Sequence, residues 1–310
     1  MQPSAKRVEM VLRALPGFQA ARVGSIAPVE GGASNLTFRV GLKDAPYGAV
    51  ALRIQRETGI FQPYDVVREG RVLQALARTE IPVPRVLALA PDTAALDAPF
   101  IVLEWIEAPH MGIAGREADY GAFARMVAAI HRIDWNGPGF DVLGRPSHPA
   151  EATAAEIELV ASRIAAFDLR DPRLASAREH LGSHIPNDGA LALCQGDINV
   201  YNYLFRNREV VGVVDWEQAR IGDRRSDIAQ LVALAHLKGA PFGPVHAQGF
   251  VHAYEAASGE TLHGLEFFRA FWAWQLMFIH HAWLQSNGSE PWYSLAAVGE
   301  LLERSLAEVA

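Results

Sequence analysis

The stretch LCQGDINVYNYLF, Leu193–Phe205, decides the fold because its polar residues interrupt apolar sequence in a specific order. An apolar run ends at the pair Gly196–Asp197, an asparagine follows at Asn202, and the chain then becomes apolar again. Shortly afterwards, the segment VVGVVDWEQARIGDRRSD contains a second apolar run, which stops at Asp215. A loop that only joined two strands would not need this order of side chains, so the pattern indicates a site.

The residues after Asn202 predict a β-hairpin with strands at Tyr203–Arg206 and Val210–Val214. Antiparallel pairing would return Asp215 to the side of Asn202, and Asp197 lies on the loop leading into Asn202. Two carboxylates and a carboxamide suit Mg²⁺, which also takes phosphate oxygens and water. The set also fits phosphoryl transfer, in which one Asp accepts a hydroxyl proton and the other two side chains hold metal. The alternative is an Asx-rich loop whose side chains only cap the backbone.

The composition narrows the class of protein. The chain has 310 residues, 50% of them hydrophobic, a formal net charge of -7 and no long basic segment, so nucleic acid is not an expected partner. Its single cysteine, Cys194, rules out an internal disulfide framework and fits a reducing compartment. The N-terminus lacks the apolar core of a signal peptide, and the apolar segment Phe267–Leu284 contains an arginine and two histidines. We therefore expect a cytoplasmic protein with no membrane partner.

The hydrophobic period changes along the chain. Five β-like runs lie in the first part, separated by Gly, Pro and Asp: RVGSIAPV, NLTFRVGL, GAVALRI, PRVLALA and PFIVLEWI. One helix, Asp65–Ala77, interrupts them, and after Ala108 the pattern is mostly helical. We predict an α+β fold with a small antiparallel-sheet lobe at residues 1–106 and a larger helical lobe at residues 107–310.

Helical spacing defines the elements of the second lobe. The apolar residues of DYGAFARMVAAIHRID recur on one face of a helix. Further helices are predicted at Glu151–Phe167, Arg173–Ser183, Ile228–Leu237, Leu265–Gln285 and Leu295–Ala307.

An ion pair is predicted in the first lobe. On the helix Asp65–Ala77, Glu69 shares the apolar face, where an unpaired carboxylate would be costly. Arg53, near the end of the strand GAVALRI, is well placed to pair with it. The alternative is a solvent-exposed Glu69 beside the arginines of its own helix.

Two motifs resemble those of the aminoglycoside phosphotransferase-like small-molecule kinases. QGDINVYN is similar to the family's HGD-x4-N motif, and VVDWEQARIGD to its (V/I)DWE metal motif. The resemblance implies a protein-kinase-like two-lobe fold and ATP- and Mg²⁺-dependent phosphorylation of a hydroxyl group. It implies that Asp197 is the catalytic base and that Asn202 and Asp215 are Mg²⁺ ligands. It also implies that Asp227 braces the catalytic loop, although Asp227 equally stands where a helix N-cap is expected.

The resemblance extends to a glycine-rich loop in the first lobe. VEGGASNLTFRV is similar to the family's GG-x-SN loop, in which bare backbone can approach anionic oxygens. An ordinary hairpin is the alternative. The triphosphate contacts that the resemblance implies are Gly31, Gly32, Ser34 and Asn35.

The nucleotide site that the resemblance implies also includes a hinge. FIVLEWIEAP is similar to the inter-lobe hinge, where the backbone of Glu104 and Ile106 would meet adenine. The family often has arginine at the position of Arg53, which would touch the α- and β-phosphates. The sequence contains no Gly-x4-Gly-Lys-Ser/Thr element, which argues against a P-loop nucleotidase.

One residue departs from the family's catalytic motif. Gln195 replaces the family's His before Gly-Asp. In the kinase fold that His is mainly a structural hydrogen-bonding residue, and Gln can also donate and accept, which is compatible with activity. Cys194 is interpreted as a buried, inert thiol, and His131 as a structural residue.

The acceptor is left open by the sequence. Aromatic residues concentrate on the helix Leu265–Gln285, and a few of them lining a pocket would suit a partly apolar alcohol. Scattered acidic residues after Ala240 argue against a polycationic aminoglycoside. The alternatives are an antibiotic-modifying kinase, for aminoglycosides or macrolides, and a nucleotide-binding pseudokinase module. ATP is the expected co-substrate, and GTP is not excluded.

Overall fold

The computed structural model describes residues 2–29, 34–92, 94–115, 119–237, 240 and 242–309. The chain divides into two compact units. The first comprises Met1–Glu107 and Gly212–Glu217, and the second comprises Ala108–Val211 and Gln218–Ala310. The short segment that contains Asp215 therefore belongs with the N-terminal residues, although it follows Asn202 closely in sequence.

A five-stranded antiparallel sheet forms the centre of the first unit, in the order β1-β2-β3-β5-β4. The strands are β1 (Arg22–Pro28), β2 (Leu36–Lys43), β3 (Ala49–Ile54), β4 (Val86–Ala90) and β5 (Phe100–Glu104). The helices of this unit are α1 (Ala5–Arg13) and α2 (Val66–Leu76). Each strand coincides with one of the predicted β-like runs, so the predicted sheet is confirmed.

The central strand β3 explains how one charged side chain enters the interior. Val50, Leu52 and Ile54 pack in one core with residues of α1. Because side chains alternate across a strand, Arg53 points to the opposite face. Helix α2 packs against β4 and β5, and it supplies the buried Glu69. The sequence thus places a cation on one sheet face and its carboxylate partner on the α2 helix.

The described part of the second unit is mainly helical. Its helices are α3 (Met111–Ala114), α4 (Tyr120–His131), α5 (Pro149–Ala166), α6 (Pro172–Ser183), α7 (Arg224–Ala235), α8 (Pro244–Ser258), α9 (Leu265–Asn287) and α10 (Leu295–Leu306). Two small sheets accompany them, β6 (Leu191–Cys194) with β9 (Arg220–Asp223) and β7 (Tyr203–Arg206) with β8 (Glu209–Val213). The β7–β8 pair is the predicted hairpin.

Most aromatic side chains of α9 are core residues. Trp272 donates from Nε1 to the carbonyl oxygen of Ser226 at 2.6 Å, and Trp274 to that of Leu174 at 2.9 Å. These bonds satisfy the indole nitrogens, so the rings can be buried at no polar cost. Six aromatic side chains of α9 are buried, and the lining of an acceptor pocket by a few aromatic residues of this helix stays a prediction: Phe267, Phe268, Phe271, Trp272, Trp274 and Phe278.

Four helical features differ from the sequence prediction. Helices α1 and α3 were not predicted, and α8 was missed because its buried stripe consists only of Ala247, Phe250 and Tyr254. Helix α7 begins at Arg224, four residues before the predicted start at Ile228. Its N-cap is Asp223, whose side chain accepts from the backbone N–H of Arg225. Among the described residues, no helix combines the length and apolar character needed to cross a bilayer.

Candidate active site

The residues 195–202 between β6 and β7, here called the polar loop, begin with a backbone conformation that requires glycine. Gly196 has φ +84°, and a Cβ atom on it would lie 2.2 Å from the carbonyl oxygen of Gln218. Any other residue would therefore combine backbone strain with a clash against backbone. This constraint explains why an apolar strand stops at a Gly-Asp pair.

Asp227 fixes the start of the polar loop. It is fully buried on α7, and its carboxylate accepts from the backbone N–H of Gln195 at 2.8 Å and of Gly196 at 3.2 Å. Burial by itself would raise the pKa of Asp227, but the hydrogen bond from His131 and the charge of Arg220 lower it below its ordinary value. The N-cap interpretation of Asp227 is wrong, and the predicted bracing contact is confirmed.

The neighbours of Asp227 have structural roles. His131 lies between the hydroxyl of Tyr254, at 2.8 Å from Nδ1, and Asp227, at 3.4 Å from Nε2. Cys194 is fully buried, and burial raises the pKa of its thiol well above the usual value, as expected for an inert thiol. His131, Cys194 and Asp227 could together hold a metal by distance. Both oxygens of Asp227 already accept backbone hydrogen bonds, which favours the structural interpretation.

Amide side chains surround the carboxylate of Asp197. Asn199 and Asn202 donate from their Nδ2 atoms to Asp197 Oδ2 at 2.7 and 2.8 Å, and Asn202 Nδ2 also lies 2.9 Å from the carbonyl oxygen of Asp197. The amide nitrogen of Asn202 thus faces Asp197. Its amide oxygen, the atom that binds cations, takes no part in these bonds. Asn202 could therefore contact Asp197 and a metal at the same time.

Gln195 is accommodated in the interior. It is fully buried, and its Oε1 lies 3.4 Å from the hydroxyl of Tyr203, which donates to it. Its backbone N–H is held by Asp227. The side chain that replaces the family's His is therefore a hydrogen-bonded core residue of the polar loop, in keeping with the structural role expected for that position.

The predicted ion pair forms in the first unit. Arg53 NH1 lies 2.9 Å from Glu69 Oε1, and the two side chains are 8% and 0% exposed. The same guanidinium also contacts Asp215 Oδ1 and Glu217 Oε2, each at 3.2 Å from NH2. We call these four residues the Arg53 cluster. The contacts with Asp215 and Glu217 were not predicted, because they join residues more than 160 positions apart in the chain.

The Arg53 cluster has a surplus of negative charge. Burial raises the pKa of Glu69 above its ordinary value; Arg53 opposes this shift, and the charges of Asp215 and Glu217 add to it. Burial by itself would lower the pKa of Arg53. The three carboxylates raise it by more, so this pKa lies above its ordinary value. Three carboxylates around one guanidinium form a hard-oxygen set that a divalent cation would neutralise. The residues present therefore fit Mg²⁺.

Asp215 has a strained backbone. Its φ is +62°, in the left-handed region that few non-glycine residues adopt, and the next residue, Trp216, is fully buried. Trp216 donates from its backbone N–H to Glu69 Oε1 at 3.3 Å and from Nε1 to the carbonyl oxygen of Val213 at 3.1 Å. These contacts hold the residue beside Asp215 and thereby fix the direction of the carboxylate.

The glycine-rich loop is described only in part. Gly31 and Gly32 lie outside the described residues. Ser34 and Asn35 are buried, and Asn35 donates from Nδ2 to Glu217 Oε2 at 3.1 Å and accepts from the backbone N–H of Arg56 at 3.2 Å. Asn35 thus extends the Arg53 cluster, and triphosphate contacts of this loop stay a prediction.

The hinge residues also keep a predicted role. The backbone N–H of Glu104 donates to the carbonyl oxygen of Arg85 at 2.9 Å. The carbonyl group of Glu104, and not its N–H group, would therefore contact adenine. Trp105 donates from Nε1 to Glu107 at 2.9 Å, and the guanidinium of Arg39 lies 5.4 Å from the centre of its ring. The adenine contacts of Glu104 and Ile106 stay predictions, as does the meeting of Asp215 with Asn202 at one metal.

Sequence reasoning missed three residues of these networks. Asn199 lies inside the QGDINVYN motif and Glu217 inside the VVDWEQARIGD motif, and the sequence predicts a role for neither. Gln230, on α7, donates to Asp197 and was not considered. A glutamine in the interior of an otherwise apolar helical segment was the signal that could have identified it.

The chain is similar to known phosphotransferases. A family model described as "Phosphotransferase enzyme family" matches residues 25–268. A putative aminoglycoside phosphotransferase from Ralstonia eutropha JMP134 has a TM-score of 0.71 and 22% identity, covering 98% of this chain and 97% of its own. A thermostable mutant of aminoglycoside phosphotransferase APH(4)-Ia, solved as a ternary complex with AMP-PNP and hygromycin B, has a TM-score of 0.65 and 16% identity, covering 98% of each chain. These solved structures have the same protein-kinase-like fold.

A longer protein also shares sequence with the chain. "Acyl-CoA dehydrogenase family member 10" from Mus musculus is 26% identical over 236 residues, which are 72% of this chain. The match spans 21% of that protein, about a fifth of its length.

Proposed function

The chain belongs to the phosphotransferase enzyme family and is a kinase of small molecules, and from that premise we propose how its residues divide the reaction. It would transfer the γ-phosphoryl group of ATP to a hydroxyl group with the help of Mg²⁺. The observation that supports this proposal most strongly is the Arg53 cluster. Three carboxylates around one buried guanidinium are a poor arrangement for stability alone, but they suit a site completed by a divalent cation.

Asp197 is the proposed base. Its carboxylate is oriented by amide donors, and it would accept the proton of the acceptor hydroxyl as the phosphoryl group transfers. Asn202 and Asp215 would hold the metal through oxygen atoms. The bound Mg²⁺ would neutralise phosphate charge, which is the main catalytic requirement of phosphoryl transfer.

Arg53 is proposed to direct the phosphates, and Glu69 to hold Arg53 in place. The guanidinium can donate several hydrogen bonds in a fixed plane, so it can keep its carboxylate partners while it contacts phosphate oxygens. Gly31, Gly32, Ser34 and Asn35 would cover the triphosphate, and the hinge at Glu104 and Ile106 would bind the base of ATP or GTP.

We propose a hydroxyl on an acyl-CoA thioester as the first acceptor class. The name of the mouse relative supports this acceptor class. A second argument is that acidic side chains, which the amines of an aminoglycoside would need as partners, already pair with groups of the protein itself. Two of those side chains have internal partners, since Glu255 accepts from the backbone N–H of Leu262 and Glu260 pairs with Arg224. An antibiotic-modifying kinase is the second candidate, favoured by the names of the solved relatives.

The metal-nucleotide part is tested by thermal unfolding with and without Mg-ATP. A ligand at about a hundred times its dissociation constant adds roughly 2.7 kcal/mol to the free energy of unfolding. We expect this gain for the native chain, and we expect Asp215→Asn to lose it. Asp65→Asn is the matched control, because Asn keeps the N-cap of α2 and the residue is exposed. An equal gain in all three proteins would remove Asp215 from the metal site.

The acceptor part is tested by ADP release. Hydroxyacyl-CoA thioesters and hygromycin B are supplied separately with Mg-ATP, and phosphorylated products are identified by mass. A product from the thioester alone supports the first acceptor class. A product from hygromycin B alone replaces it with the second candidate.

A further inference from the structure

Gln230 joins helix α7 to the polar loop through both of its polar atoms. It is 4% exposed. Its Nε2 donates to Asp197 Oδ1 at 2.6 Å, and its Oε1 accepts from the backbone N–H of Ile198 at 2.9 Å. A buried primary amide is costly unless it is hydrogen-bonded, and here both ends of the amide are satisfied by adjacent residues of one loop.

Helix α7 holds the backbone of the polar loop through two side chains. Asp227 and Gln230 are three residues apart and therefore lie on the same face of the helix. Asp227 binds the backbone N–H groups of Gln195 and Gly196, and Gln230 binds the N–H of Ile198. The backbone on both sides of Asp197 is thus fixed to one rigid element.

Gln230 also contacts the Asp197 carboxylate from a different direction than the loop's own amides. Asn199 and Asn202 donate to Oδ2, whereas Gln230 donates to Oδ1. Donors on both oxygens restrict rotation of the carboxylate about its bond to Cβ. Hydrogen bonds to an ionised group are stronger than neutral ones, so the contact orients Asp197 as well as packing the helix.

We propose that Gln230 is a positioning residue for phosphoryl transfer, which holds the Asp197 carboxylate in the direction from which it takes the acceptor proton. This inference rests on the proposed function of Asp197 as the base. Because Gln230 touches neither Arg53 nor the proposed metal ligands in the contacts described, it acts on the base and leaves the binding of nucleotide to other residues.

The test uses two substitutions in the full chain. Gln230→Met keeps the length of the side chain and removes both hydrogen bonds. Gln230→Glu keeps an acceptor for Ile198 but replaces the donor to Asp197 with a like charge. Gln275→Met is the matched control, since Gln275 is a buried glutamine on α9. The readouts are kcat for ADP release from Mg-ATP, with water and with each acceptor, and KM for Mg-ATP.

We expect Gln230→Met to lower kcat about ten- to a hundredfold, because a small misplacement of a catalytic group has effects of that size. Its KM for Mg-ATP should stay within about twofold of the native value, and Gln275→Met should not change kcat. Gln230→Glu should lower kcat at least as much as Gln230→Met, because it places a like charge where Asp197 had a donor. The backbone N–H of Ile198 keeps its acceptor in this variant.

The other outcomes overturn either the positioning role of Gln230 or the proposed function. A native kcat in Gln230→Met or in Gln230→Glu overturns the positioning role. A parallel loss of Mg-ATP affinity and kcat shows a merely structural role and also overturns it. If the native chain releases no ADP with any acceptor, water included, the proposed function fails and the role of Gln230 fails with it. If Gln230→Met does not fold, Gln230→Glu alone decides the question.

Discussion

The Arg53 cluster of the first unit and the polar loop of the second unit handle buried polar groups in opposite ways. In the cluster, one guanidinium serves three carboxylates, and Arg53 Nε and Glu69 Oε2 are buried without hydrogen-bond partners among the described residues. At the polar loop, Asp227 and Gln230 of α7 each use both of their polar side-chain atoms. The Arg53 cluster, with its surplus of negative charge, is the region expected to bind a metal and phosphates. The polar loop, with its satisfied hydrogen bonds, is the region expected to position the base.

The contrast has a physical basis. A preformed cation site must leave negative charge uncompensated until the ligand arrives, which costs stability in the free protein. A base only has to stay in place, so its surroundings can be closed with neutral amides and one compensated carboxylate.

The largest effect is expected for Asp197→Asn in the polar loop. Loss of the proposed base should lower kcat by about 10² to 10⁴, whereas the Mg-ATP gain in thermal stability should persist, since other residues are proposed to hold the nucleotide. Single-turnover measurement of ADP formation and thermal unfolding check the two parts. Loss of the Mg-ATP gain in this variant would mean that the two regions are not functionally separate.

Arg53→Met should cost about 3–5 kcal/mol of unfolding free energy, because it leaves the buried Glu69 without its cation. The double variant Arg53→Met, Glu69→Leu should recover much of this loss, since no unpaired charge stays buried. Denaturant unfolding without metal measures both variants. Arg39→Met is the control, because the pair Arg39–Glu107 is exposed and should contribute less than about 1 kcal/mol. A cost for Arg53→Met no larger than the control's would contradict the buried-pair account.

Asp227→Asn should cost about 1–3 kcal/mol, because one amide oxygen cannot replace two carboxylate oxygens that accept from backbone N–H groups. Denaturant unfolding measures the loss, and Asp65→Asn again serves as the exposed control. Hydrogen exchange should show faster exchange at the N–H groups of Gln195 and Gly196. Unchanged exchange at both groups would argue against the bracing contact.

Glu217→Gln should have the smallest effect and the opposite sign. Removal of one negative charge from the Arg53 cluster relieves the surplus, so the metal-free protein should gain up to about 1 kcal/mol, while its added stability in Mg-ATP should fall. Thermal unfolding at matched metal-free and Mg-ATP conditions measures both changes. A destabilised metal-free variant would show that Glu217 contributes hydrogen bonds rather than surplus charge.

Much of the fold was predictable because local patterns agree with the final packing. The five strands of the first unit follow alternation and Gly-Pro punctuation, and the family motifs identified the protein-kinase-like fold. The pair Arg53–Glu69 was predicted from a single carboxylate on an apolar helix face. The start of α7 was misplaced because Asp223 and Asp227 both resemble N-caps, and only the contacts of the folded chain distinguish them.

The sequence by itself determined the five strands of the first unit, the β7–β8 hairpin and the identity of the polar loop, because these depend on local periodicity and on turn residues. The tertiary structure decided which distant side chains share a buried charge or a hydrogen bond. Glu217 meets Arg53, and Gln230 meets Asp197, through contacts that close long stretches of chain. Such contacts depend on how strands and helices pack, so no spacing along the sequence encodes them.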